Sequence, residues 1–468
     1  MYSKRQSKME NSDTEQDVVI KFMKGPLFTL IIDKAVERQT VQLLKKVTKL
    51  EEDIKLLREF NVDVIKLLCI EKEIAINLRE IDLSFYDRFI KKCHDVHFKT
   101  KSKPSLDVIE EPKAKPKIVS VIEIKRFVMD CLLKIGVQNE KAKTFTNALV
   151  TADTRGITSH GLNRLEHYIN HIKDNVCNPN ADPTIMFESE STAVVCGNNG
   201  LGVVVSMFCV NLAIKKAEKT GIAMVVANGS NHFGINSYYT AYAADHGFIG
   251  LAFTNTSPIM VPTGAKQACF GTNPLSIAAS AVNSDGVVID FATTTVALGK
   301  IEVFKRKNQK IPIGWAFDED GNLTDDAAVG VKVKRLTPVG GTESHKGTCL
   351  AIMVEILSGL LANSAYGPHI PVWGVKPFKL ANIGHGFIVI DPRKFTPGFD
   401  KRLGDLLGYV RKLEPIDPKK PVEVPGDFER RAMKKIDDQG GIEYPESILN
   451  MIEKLVKDLG VKAPKFKS

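Results

Sequence analysis

The chain has 468 residues, 43% of them hydrophobic and 25% charged, with a formal net charge of +9 at pH 7. These fractions are those of a globular protein with core for about two to three domains, and they exclude a disordered, collagenous or disulfide-stapled chain. No apolar run approaches the ~20 residues of a membrane-spanning helix. Acidic residues are interspersed with the basic ones, which argues against a nucleic-acid partner. No apolar stretch follows Lys4, Arg5 and Lys8, which argues against a secretory signal. The eight cysteines (69, 93, 131, 177, 196, 209, 269 and 349) are scattered, several in apolar surroundings, and form no Cys-x-x-Cys pair. That pattern predicts a reducing compartment, the cytoplasm, and no bound metal.

Residues 1–98 read as an α-helical extension. Leu43, Val47, Leu50, Ile54, Leu57, Val64 and Leu68 keep a four-three rhythm with Asn61 in one core slot, and neither Pro nor Gly interrupts residues 27–103. The pattern fits a short coiled coil or an amphipathic helix packed on its own domain. Residues 99–117, with three prolines and many lysines, read as a linker.

From residue 118 to 468 the grammar is α/β. Helices are predicted over 120–135, ended by Gly136, and over 139–153. Strand-like runs at 193–196, 222–227, 249–253, 275–279 and 287–291 alternate with helical stretches at 203–219, 236–246 and 349–363. Gly197-Asn-Asn-Gly200-Leu-Gly202 follows a strand and opens a helix, but its spacing reverses the dinucleotide fingerprint, and no acidic residue ends the next strand. It reads as a plain strand-to-helix turn.

Five loops carry groups suited to chemistry. Arg155-Gly-Ile-Thr-Ser159-His160-Gly161-Leu-Asn-Arg164 sets an arginine in the first turn of a predicted helix, a seat for a carboxylate. Asn228-Gly-Ser-Asn-His232-Phe-Gly234 follows a strand, where open α/β sheets bind ligands, and His232 could act as acid or base. Thr254-Asn255-Thr256-Ser257-Pro258 and Gly271-Thr-Asn-Pro274 offer amides and hydroxyls. His345-Lys346-Gly347 precedes a helix and could hold a phosphate, though a solvated lysine is the simpler reading. His167 and His171 lack the glutamate of a zinc motif and read as a solvated face.

These motifs, in this order, resemble the malate/L-lactate dehydrogenase family, which includes sulfolactate and ureidoglycolate dehydrogenases. The resemblance extends through Asp290-Phe-Ala-Thr-Thr294, Gly299-Lys300, Pro312-x-Gly314-Trp315, and Val424-Pro425-Gly426-Asp427. It implies a non-Rossmann NAD(P)-binding fold over 118–468, with the cofactor-binding part at roughly 190–345. The implied activity is hydride transfer between NAD or NADP and C2 of a small 2-hydroxy or 2-keto acid, in a homodimer. Carried over, His232 is the acid/base, Arg164 pairs with the substrate carboxylate, and Ser159 and His160 orient substrate and nicotinamide. Asn255 and Thr256 line the substrate. The implied cofactor contacts are His160, Gly234, Ile235, Asn236, Thr256, Asp290, Phe291, Ala292, Thr293, Thr294, Lys346, Pro425, Gly426 and Asp427.

The choice between His160 and His232 as proton carrier stays open. His232 is favoured because a histidine beside an arginine is biased toward neutrality. Thr348-Cys349 and Gly384-His385 depart from the family pattern, and residues 1–117 have no counterpart in it. Two other readings remain: a cyclic imino-acid reductase of the same fold, and a weakly active scaffold working through the N-terminal coiled coil.

Overall fold

The computed structural model describes residues 117–467 apart from Gly374. The expected extension and nearly all of the expected linker lie outside the described residues. Lys117 does not belong to a linker: it opens strand β1 (Lys117–Val119). Ser120 then caps α1 (Val121–Lys134) by accepting from the Glu123 N–H. Gly136, at φ +84°, turns the chain into α2 (Asn139–Thr154). An irregular segment carries the first chemical loop into α3 (Leu165–Lys173).

Next come β2 (Thr184–Glu188), β3 (Thr192–Cys196), α4 (Gly202–Thr220), β4 (Ile222–Ser230), α5 (Asn236–Asp245) and β5 (Ile249–Thr254). They are followed by β6 (Leu275–Ser280), β7 (Gly286–Phe291), α6 (Leu298–Arg306), β8 (Ala316–Phe317), β9 (Leu323–Thr324) and α7 (Ala327–Val333). The chain ends with α8 (His345–Glu355), β10 (Ile383–Ile390), α9 (Phe399–Arg411), α10 (Asp427–Gln439), β11 (Ile442–Tyr444), α11 (Glu446–Leu459) and β12 (Phe466–Lys467). The helix expected over 349–363 starts earlier, at His345, and loosens into a π-helical turn at Ile356–Leu360.

The main sheet runs β2-β3-β4-β10-β5-β6-β7, and only β3 and β4 pair in parallel. Its centre is β10, a strand from near the end of the chain. Alternation divides the strand residues between two faces. Ala193, Val195, Ala223, Val225 and Ala227 pack on Val205, Cys209, Ala213 and Ala217 of α4. Val194, Met224 and Val226 lie on the other face, where with Phe187 and Leu361 they line an open groove of about 390 Å³. A second core joins α1, α2, α3 and α11, and beside it β11-β1-β12 form a small antiparallel sheet.

The register sets the place of the chemical loops. β10 is antiparallel to both β4 and β5, and Leu275 pairs with Phe253 and Phe291. The loops after β4, β5 and β7 and before β6 therefore emerge at one sheet edge.

Candidate active site

At that edge the segment between α2 and α3 meets the end of β4. The His160 and His232 rings stack with centroids 5.7 Å apart at 15°. Trp373 stacks on His232 at 4.8 Å, and the Arg164 guanidinium carbon lies 5.7 Å from the same indole. Imidazole and guanidinium are thus brought together from loops 68 positions apart. Arg164 Nε donates to the Ser159 carbonyl at 2.7 Å. Among the described residues its terminal nitrogens have no hydrogen-bond acceptor, which leaves the fork available for an anion.

Each histidine is held at Nδ1. Ser159 Oγ lies 2.9 Å from His160 Nδ1, and the Tyr168 hydroxyl 2.5 Å from His232 Nδ1. A hydroxyl can donate or accept, so it can follow a ring through both protonation states. Burial, helped by Arg164, pushes His160 down to about 4. Burial, then His160 and Arg164, hold His232 well below its ordinary value. Both rings are neutral near pH 7, so neutrality does not separate them as the sequence argument assumed.

Trp373 and Tyr168 carry the pocket, and the sequence reading missed both. A signal existed for Tyr168, which stands four positions after Arg164 and so shares its helical side. Trp373 is one of only two tryptophans, next to Pro371-Val372. His171 is not on a solvated face. Its ring packs on Phe378 at 4.6 Å and on Trp373 at 5.8 Å, and its Nε2 is buried without a partner. His167 packs on Trp373 at 5.0 Å. Behind His232, Tyr168 and Trp373 lies a small, partly open cavity of about 10 Å³, room for a single water.

The glycine turn at 197–202 serves packing. A Cβ at Gly202 would stand 2.1 Å from the Asn231 carbonyl oxygen, so the chain's own backbone takes the close approach. Asn228 to Ser230, expected in a loop, extend β4.

Several of the expected contact residues have their side chains engaged within the protein. Asn255 is fully buried; its amide donates to Glu355 Oε2 and the Ala365 carbonyl, each at 2.9 Å, and its oxygen accepts from Gly384 N–H. No face remains for a substrate. The Thr293 and Thr294 hydroxyls donate to the Thr272 and Val296 carbonyls. The Asp427 carboxylate is held by Arg411, Arg430 and Val424 N–H, so it ties a loop together and does not reach for a ligand.

Other expected positions are better placed. Thr256 is half-buried at the edge, its hydroxyl accepting from Thr272 N–H. Gly234 has φ +85° and open space where a Cβ would be. Ile235 caps α5, and Asn236 opens it with both amide atoms buried and unpartnered, beside an unpartnered Ser237 Oγ. Such orphans at a helix start suit a polar ligand group. Asp290 accepts from Ser237 N–H at 2.7 Å, and burial raises it to about 6. Phe291 is exposed and Ala292 half-buried. Lys346 is exposed in the first turn of α8; Pro425 is exposed and Gly426 buried against β7.

This sheet order is not that of a doubly wound dinucleotide fold, and the site holds neutral imidazoles beside a guanidinium whose terminal nitrogens have no acceptor among the described residues. The class is an α/β protein with a mixed sheet and a cluster of imidazole, phenol and guanidinium groups at one end of it. The chain belongs to the malate/L-lactate dehydrogenase family, whose model matches residues 119–453. It is accordingly an oxidoreductase of the 2-hydroxy-acid dehydrogenase type. It is 38% identical over 291 residues to a malate dehydrogenase of Pyrococcus horikoshii, covering 61% of this chain and 80% of that one. It is 36% identical over 339 residues to an L-sulfolactate dehydrogenase of Methanocaldococcus jannaschii, covering 72% and 96%. The crystal structure of a malate dehydrogenase from Entamoeba histolytica superposes with a TM-score of 0.72 at 32% identity, covering 75% of this chain and all of that one. Two more distant relatives are named for NAD(+) and for NADP(+).

Proposed function

We propose that the protein interconverts a small 2-hydroxy acid of the malate, lactate or sulfolactate type and its 2-keto acid, with NAD or NADP. The observation that carries this reading is the shared packing of His232 and Arg164 on Trp373. Arg164 binds the substrate carboxylate; without it that charge would be desolvated uncompensated. The oxidised nicotinamide, when bound, supplies the acceptor for the C2 hydride. His232 takes the hydroxyl proton at Nε2 while Tyr168 steadies Nδ1, so the C2–H electron pair leaves with hydrogen and a C=O bond forms. The arriving anion offsets Arg164 and raises the readiness of His232 to hold that proton. Ser159 and His160 orient the acid. The residues fit the cofactor: Gly234, Ile235, Asn236, Thr256, Asp290, Phe291, Ala292 and Lys346 would line it, with Asn236 offering an unsatisfied amide.

The test is spectrophotometric. Oxaloacetate, pyruvate, 3-sulfopyruvate and a cyclic imine are each offered with NADH and NADPH. Turnover of a keto acid that is lost in His232→Ala supports the reading. Turnover of the imine alone replaces it with imino-acid reduction, and cofactor binding without any turnover replaces it with the scaffold.

The groove beside β2, β3 and β4, open among the described residues, supports a homodimer. Phe187 is 69% exposed beside exposed Ile185, Met186 and Leu361, an apolar patch that a second copy would bury. Sedimentation should give a dimer that Phe187→Glu dissociates; a monomeric wild type ends this part of the proposal. Six cysteines among the described residues are free, which supports a reducing, cytoplasmic setting. No described helix is long and apolar enough to cross a membrane.

A further inference from the structure

The loop that presents Ser159, His160 and Arg164 rests on a buried acid. Asp153, in the last turn of α2, is 2% exposed. Its Oδ2 accepts from the Leu162 N–H and from the Tyr444 hydroxyl, each at 2.8 Å. Leu162 lies between His160 and Arg164 and opens a single 3₁₀ turn, so its N–H has no partner within that turn. Gly161 makes the approach possible: a Cβ there would stand 1.8 Å from Asp153 Oδ1 and 2.2 Å from Cγ. Among the described residues no cation pairs with Asp153. The negative end of a helix disfavours a carboxylate, and burial raises this one to about 7. A leucine would fill the space without that cost. Tyr444 reaches Asp153 from β11, where it pairs with Lys117 of β1.

We propose that Asp153, steadied by Tyr444, is a positioning residue that clamps the Leu162 amide and so sets where His160 and Arg164 stand. The inference rests on the reading of those two side chains as binders of the acid. The clamp acts on the acid's side of the site. The cofactor side is built by the loops after β4, β5 and β7 and by Lys346, with none of which Asp153 makes a hydrogen bond. Its loss should raise the KM for the acid and spare that for the cofactor.

The experiment uses the full chain with Asp153→Asn, Asp153→Leu and Tyr444→Phe. Asparagine keeps an oxygen acceptor for both donors and should stay within about threefold of wild type. Leucine should raise the keto-acid KM by about tenfold or more, with the cofactor KM within about twofold, and Tyr444→Phe should fall between. Hydrogen exchange of the peptide spanning 158–164 is read in parallel and should speed up in Asp153→Leu and Tyr444→Phe, with or without turnover. Should the leucine variant not fold, Tyr444→Phe carries both readouts. Faster exchange in a protein that turns over no acid would support the clamp while the functional reading fails. Unchanged exchange and unchanged acid KM in folded variants would overturn the clamp, as would equal rises in both KM values.

Discussion

Replacing Arg164 by lysine keeps the charge and loses the fork. The Nε bond to the Ser159 carbonyl cannot then coexist with a two-point grip on a carboxylate. Arg164→Lys should raise the keto-acid KM by about tenfold or more. His232→Gln should lower kcat by about 10²–10⁴-fold and leave KM nearly unchanged, because the proton carrier goes while the grip stays. Steady-state kinetics at saturating cofactor separate the two patterns. His385 is fully buried between the Thr254 and Ser230 hydroxyls, both at 2.8 Å, and burial pushes it down to about 3. In the unfolded chain an imidazole titrates near 6.5, so the unfolded state takes protons first as pH falls. The stability involved is whole above about pH 6.5 and drains away toward the folded value, by up to about 1.4 kcal/mol per pH unit for each such histidine. His160 and His232 act in the same direction. Thermal melts should show Tm falling between pH 6.5 and 4.5, and His385→Gln should fall less steeply, since an amide can serve both hydroxyls and does not titrate.

At the scale of elements, the Asp427 network fastens the start of α10 to the sheet. Arg411 bridges Asp427 and Asp285, and Pro425 accepts from Val288 N–H of β7. Asp427→Asn should cost about 1–3 kcal/mol of stability, the range for a half-buried charged hydrogen bond, and leave the cofactor KM within about twofold. A large rise in that KM would restore Asp427 as a cofactor ligand. The motif around Asp427 was legible in the sequence; the use of its carboxylate was not, because the arginines that occupy it are 3 and 16 positions away and no periodicity marks them. Asn255 went astray similarly. Its partner Glu355 is 100 positions distant, and only the fold shows that the amide is consumed internally. The α/β alternation from Ile222 to Phe291 was readable because apolar runs and glycine turns punctuate it. Strand β10 was not singled out: glycines at 384 and 386 dilute its pattern, yet they are needed where a Cβ would meet Ser364 Oγ and the Leu357 carbonyl at 2.4 Å. Trp373 escaped because nothing local says which surface a lone tryptophan will cover.

For the whole molecule, the question is where the catalytic body begins, and β1 supplies a physical answer. It is the middle strand of the small sheet, pairing with β11 through Lys117–Tyr444, Ile118–Glu443 and Val119–Ile442, and with β12 on its other side. Val119 is fully buried, and a Cβ at Gly441 would stand 2.4 Å from its carbonyl oxygen. Losing β1 would forfeit about 1.5–3 kcal/mol for the valine alone. It would also strand the ladder hydrogen bonds of two neighbouring strands and loosen Tyr444 from Asp153. Against a total stability of about 5–15 kcal/mol that is a large share. A chain starting at Pro112 should therefore keep the Tm of the full-length protein, with kcat/KM within about twofold. One starting at Ser120 should melt lower and show a raised keto-acid KM even at temperatures where it remains folded. If the chain starting at Pro112 already loses turnover, the first 111 residues contribute to the site and the proposed boundary is wrong. If the chain starting at Ser120 matches full length, the small sheet has no part in holding the loop that carries His160 and Arg164.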